Sequence, residues 1–170
     1  MGFPVPPDAR ATGDFELVKG IDEMIRNSLP IGDLTKPVDE GEWMKTETAG
    51  GVTKAAKIVG GDDLTSPAIG ARVSWTRYRQ GDASAGQGDA VATGTVDLLS
   101  GNYQAKTKLF NTGGSLALGE LLVAVYDAGQ DGGILDTVPV GSATVRQLQA
   151  VVGRLLEVAA GVLHFESPGL

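Results

Sequence analysis

The chain has 170 residues, 25 of them glycine and only 5% aromatic, which suits a turn-rich β domain with a small-residue interior better than a helical bundle. Fourteen basic against 21 acidic side chains leave a net charge of −7, which disfavours nucleic acid and anionic membrane as partners, since both call for a cationic surface. The absence of cysteine excludes disulfides and thiolate metal sites, and no apolar run approaches the ~20 residues that span a bilayer, so a soluble protein is expected.

The opening "MGFPVPPDAR" lacks the basic-then-apolar order of a secretory signal, and Pro6 stands where a myristoylation signal wants serine or threonine. Pro4, Pro6 and Pro7 remove amide donors and block helical turns, so this start is expected to be an extended arm. In "DFELVKGIDEMIRNSLP" the apolar residues Leu17, Val18, Ile21, Met24 and Ile25 recur at helical spacing, with Asp14 placed to cap and Pro30 to stop. The expectation is a short amphipathic helix. Gly20 weakens it by about 1 kcal/mol relative to alanine, so such a helix needs a surface to lie on. Residues 1–40 thus form an N-terminal arm and helix, and 41–170 a β-barrel or sandwich domain.

From residue 41 the pattern changes to short strand-like segments closed by glycine turns. "EWMKTE" and "GGVTKAAKIV" form a pair across Gly50-Gly51, and "GARVSWTRYR" is a further strand before the polar loop "QGDASAGQGDA". "ATGTVDLL" and "NYQAKTKLF" flank the turn "SGN". In the second of them Tyr103, Ala105, Thr107 and Leu109 share one face while Gln104, Lys106 and Lys108 share the other, the mark of a half-buried strand. "GELLVAVYD" is apolar on both faces and belongs in the middle of a sheet, with "ILDTV" returning beside it after "DAGQDGG". The stretch "SATVRQLQAVVGRLLEVAAG" admits a helix capped by Ser142 or strands broken at Gly153. Strands are favoured because an interior glycine weakens a helix, with a turn at "AAG" feeding the closing strand "VLHFES".

Few residues offer chemistry. His164 is the only histidine and alternates opposite Leu163 and Phe165, as an ordinary structural imidazole does. The acidic loops "GGDDL" and "DAGQDGG" carry oxygen ligands without the spacing of a calcium loop, and turn formation accounts for them better. Asp62 and Asp63, being adjacent, would point apart on a strand rather than share a proton. Arg72, Arg77 and Arg79, interleaved with Trp75 and Tyr78, form a local basic cluster that in so acidic a chain fits ion pairing with an acidic neighbour better than nucleic-acid binding. No phosphate loop is present, and no enzyme, cofactor or metal is expected.

The order "GEWMK", "TGTVDLLSGNYQAKTKLF", "GELLVAV" and "VVGRLLEVAAGVLHFE" resembles the small β-barrel decoration, or cement, proteins on the heads of tailed bacteriophages, over residues 41–166. The resemblance implies a β-barrel or sandwich on the capsid exterior of a virion, clamping neighbouring major capsid subunits as a dimer or trimer, without catalysis. Leu17, Val18, Ile21, Met24 and Ile25 of the arm and the three arginines are the candidate capsid or subunit contacts. An arm adds contact area without a larger core, and many weak copies gain by avidity. Two other classes stay open: a tail-tube or baseplate component, and a glycan-binding, adhesin-like module using Trp43, Trp75, Tyr78, Tyr103 or Tyr126.

Overall fold

The structure, a computed structural model, describes residues 15–20, 24–32, 38, 41–62, 71–74, 94–114, 116–138, 148 and 150–167. The Pro-rich start, the loop 80–90 and the residues Trp75, Arg77, Tyr78 and Arg79 lie outside the described residues. The described residues form eleven strands: β1 (Phe15–Lys19), β2 (Met24–Pro30), β3 (Trp43–Ala49), β4 (Val52–Lys57), β5 (Ala71–Ser74), β6 (Thr95–Gly101), β7 (Tyr103–Thr107), β8 (Leu121–Asp127), β9 (Gly132–Val138), β10 (Gly153–Ala159) and β11 (Val162–Ser167). All their ladders are antiparallel, in the order β1-β7-β11-β10-β8-β9-β3-β5-β6-β2, with β4 on β3 beside this path. The protein is therefore mainly β, as its composition implies.

The sheet is not closed into a barrel. It curls in two halves, and in each a single parallel bridge brings distant strands together. Phe110, just past β7, bridges to Leu135 on β9, and Ile31, just past β2, bridges to Ala55 on β4. Hydrogen bonds from Leu135 N to Leu109 O (3.0 Å) and from Gly32 N to Ala55 O (2.8 Å) hold the two contacts. Each half has its own core. The larger gathers Phe15, Trp43, Tyr103, Leu122, Leu135, Leu155, Leu163 and Phe165, and the smaller gathers Ile31, Val38, Met44, Ala55, Val96 and Leu98. Phe165, fully buried, stands 6.0 Å from Trp43, 6.2 Å from Tyr103 and 6.5 Å from Phe15 between ring centroids, tying β11 to β3, β7 and β1.

The helix expected over "DFELVKGIDEMIRNSLP" is not formed: its described residues make β1 and β2. Gly20 adopts φ +80, outside the helical region, and a Cβ there would lie 2.5 Å from Asn102 O. The register with β7 slips between Leu17 and Lys19, leaving Val18 as a bulge. Bulge and bend together break the period-2 alternation, so a strand pair acquires helical spacing. Its backbone groups are instead satisfied by β7 and β6, a tertiary partner outweighing a weak local preference. Strands on both sides of the expected division at residues 40/41 thus belong to the same sheet.

Turn chemistry sets the hairpins. Gly50 and Gly51 carry φ +61 and +78 between the paired ends Ala49 and Val52, the type I′ geometry that matches strand twist. Ala160 (φ 50) and Gly161 (φ 75) do the same between Ala159 and Val162, so "AAG" is the turn into β11. By contrast, "SGN" makes no hairpin: β6 and β7 do not pair, and the chain there passes from one half of the sheet to the other. In the region read as helix or strands, residues 153–159 are strand β10.

Candidate functional site

The described residues among those singled out from sequence as contacts do not gather in one stripe. Leu17 is partly buried against the larger core, while Val18 bulges outward from β1. Met24 and Ile25 lie on β2, at register with Gly101 and Ser100, and Ile25 is 52% exposed. Val18 and Ile25 therefore occupy the two opposite edge strands of the sheet. Arg72 sits on β5 at register with Met44; Ile21, Arg77 and Arg79 lie outside the described residues.

The polar side chains that the fold brings together are others. Glu42, just ahead of β3, is fully buried, with the Lys57 ammonium 3.2 Å from its carboxylate. The buried carboxylate fits because residue 132 is glycine: a Cβ there would overlap Glu42 Oε1. Lys45 on β3 reaches Asp62 Oδ1 at 2.8 Å and Glu47 Oε1 at 3.1 Å, and Asp62 Oδ2 accepts the Val59 amide at 2.8 Å. Burial alone would raise the Asp62 carboxyl, but the Lys45 hydrogen bond and the Val59 amide outweigh it and hold it below the usual carboxylate value. Burial would lower the Lys45 ammonium, and Asp62 and Glu47 more than reverse that, leaving it raised. The pair pins the loop after β4 to β3.

The aspartates of "DAGQDGG" also act in their turn. Asp127 Oδ2 accepts the Gln130 amide at 2.8 Å, and Asp131, at φ 50, accepts the Tyr126 hydroxyl at 3.2 Å. Partial burial first, then that hydrogen bond and the charges of Asp131 and Asp127, hold the Tyr126 phenol above its ordinary value. In the loop after β7, Asn111 Oδ1 accepts the Gly113 amide, and on β9 Asp136 Oδ1 accepts the Thr137 amide. Among the described residues, no three of His, Cys, Asp and Glu come together as a metal-binding group.

The outer face of β10-β11-β7-β1 carries an ordered polar row that the sequence alone did not reveal. Glu157, His164, Lys106 and Glu16 lie at matching register across the four strands, with Arg154, Glu166, Gln104 and Lys19 in the neighbouring row. Beneath them Leu155, Leu163, Phe165 and Ala105 are buried. The period-2 pattern gave the faces of single strands, but the row needs the order β10-β11-β7-β1, which joins residues 15–19, 103–107 and 153–167. His164 thus stands outward, as its alternation implied, although its Nε2 is buried and makes no hydrogen bond among the described residues. The remaining exposed apolar side chains are scattered over tips and ends: Val52 at the β3–β4 turn, Val59 past β4, Leu118 before β8, and Leu148.

No protein-family model, curated protein or solved structure matches the chain.

Proposed function

We propose that the protein is a structural component of a tailed-phage virion that decorates the capsid exterior and bridges neighbouring major capsid subunits. The observation that carries this reading is how the described polar groups are used. Glu42, Lys45, Lys57, Asp62, Asp127 and Asp131 each fix a turn or an ion pair, while exposed apolar side chains are distributed over edges and tips. Such a surface suits many weak contacts rather than one pocket, and repeated copies convert weak contacts into firm attachment. The resemblance over residues 41–166 points the same way, and two curled half-sheets would serve as the small barrel that decoration proteins carry.

In this reading Arg72, Arg77 and Arg79 supply a basic contact to an acidic neighbour, and the segment before residue 41 adds contact area. Replacing the three arginines by glutamate lowers occupancy on particles, with circular dichroism checking that the variant keeps its β signal. Particles depleted of the protein lose resistance to heat. Unchanged occupancy of the triple variant, together with equal heat resistance of depleted particles, would remove the cementing role.

A further inference from the structure

We infer that the outer face of β10-β11-β7-β1 docks on the same face of a second copy, about a two-fold axis that runs across the strands. The inference rests on the charge order of this face and is independent of the capsid reading.

The two polar rows of the face cross the four strands with one residue of each row on each strand. Elsewhere the described charges are spent inside the molecule, Lys45 on Asp62, Lys57 on Glu42 and Asp127 on the Gln130 amide. Among the described residues, no side chain of the two rows enters a hydrogen bond or an ion pair. The strands are nevertheless fixed from beneath, because Leu155, Leu163, Phe165 and Ala105 are buried in the larger core. Uncommitted charges on a rigid support are pre-organised for a surface of opposite order.

That surface is the face itself. On β10 one row holds Glu157 and the other Arg154, and on β1 they hold Glu16 and Lys19. On β11 they hold His164 and Glu166. An axis lying between the rows and parallel to them keeps each strand over its own counterpart and exchanges the rows. Glu157 then meets Arg154 of the second copy, Glu16 meets Lys19, and His164 meets Glu166. On β7 the exchange sets Lys106 over the uncharged Gln104. Two-fold symmetry makes every one of these contacts twice. The alternative in-plane axis, along the strands between β11 and β7, lays β10 over β1. It sets Glu157 over Glu16 and Arg154 over Lys19, like upon like, so charge order selects the first arrangement. The two faces then pack as aligned sheets do, with the strands of the two copies running in opposite directions.

β10, β11, β7 and β1 are only seven, six, five and five residues long. Such a patch is smaller than the ~800 Å² per partner of a standard interface, so the dimer is weak, reversible and loosened by salt.

Sedimentation of the full chain at low salt is expected to show a monomer–dimer equilibrium that added salt shifts towards monomer. Arg154 and Glu157 are both exposed, which makes them suitable for charge reversal. Glu157→Arg sets an arginine over Arg154 of the second copy, and Arg154→Glu sets a glutamate over Glu157. Each variant alone is expected to dimerise at least about tenfold more weakly. Mixed together, the two variants restore both contacts in a heterodimer, and the double variant Arg154→Glu/Glu157→Arg restores them in a homodimer. A chain that stays monomeric to ~1 mM at low salt overturns the inference. So does a mixture that associates no better than its separate components. Where one single variant fails to fold, the double variant decides, and its failure to dimerise like the original chain overturns the inference equally.

Discussion

Gly133 on β9 lies opposite Trp43 on β3, the one register pair through which these two strands join. A Cβ at 133 would overlap the Trp43 carbonyl oxygen and press on Ile58 Cδ1, so the junction between the two curled halves requires glycine there. Gly133→Ala is expected to destabilise by about 2 kcal/mol, within the range of overpacked cores. Gly32→Ala, whose Cβ would meet only Ala55 O at an ordinary 3.5 Å, should shift stability by no more than ~0.5 kcal/mol. Denaturant melts of the pair test this, and equal losses in both variants would contradict it.

Ala160 holds φ 50 in the β10–β11 turn, a conformation that alanine adopts only under strain. Ala160→Gly relieves it, at some gain in unfolded-state entropy, and is expected to stabilise by about 0.5–1 kcal/mol. Asparagine at the same position should stabilise too, since it tolerates the left-handed region. A lower melting temperature for both variants would show that the turn is not strained.

The Lys45–Asp62 pair gives a pH dependence of defined sign. Asp62 has a lowered carboxyl in the folded state, so its contribution is present above the ordinary aspartate pKa and lost as pH falls through the lower folded value. Lys45 is raised, so its contribution is present below the ordinary lysine pKa and lost only as pH rises through the higher folded value. Between these limits the pair stabilises without slope. Asp62→Asn should destabilise at neutral pH by about 1–3 kcal/mol, from a hydrogen bond lost to a largely buried ammonium, and should flatten the acid limb. Urea midpoints of both proteins from acid to neutral pH measure the effect, and parallel curves would refute it.

How much of this was legible in the sequence depended on whether a signal was local. The alternation of Tyr103, Ala105 and Thr107 against Gln104 and Lys106 gave the faces of β7 directly, and all three of the first set are buried. Gly50-Gly51 and "AAG" gave their turns because positive φ has a short residue signature. The N-terminal strands were misread because the bulge at Val18 and the bend at Gly20 are dictated by β7 and by Asn102, residues about eighty positions away. The same holds for Glu42: a buried glutamate is recognisable only once Lys57 and Gly132 are beside it. The contact stripe of Leu17, Val18, Ile21, Met24 and Ile25 went with the helix, and its described members are divided between β1, beside β7, and β2, beside β6.

Electron cryomicroscopy of virions from a tailed phage found to carry this coding sequence tests most directly the proposed place of the chain on the outside of a capsid. The account predicts density on the outer capsid surface at repeated positions between major capsid subunits, into which the eleven-stranded sheet fits. Virions with a bare outer shell, or density for this chain only in the tail, would contradict it.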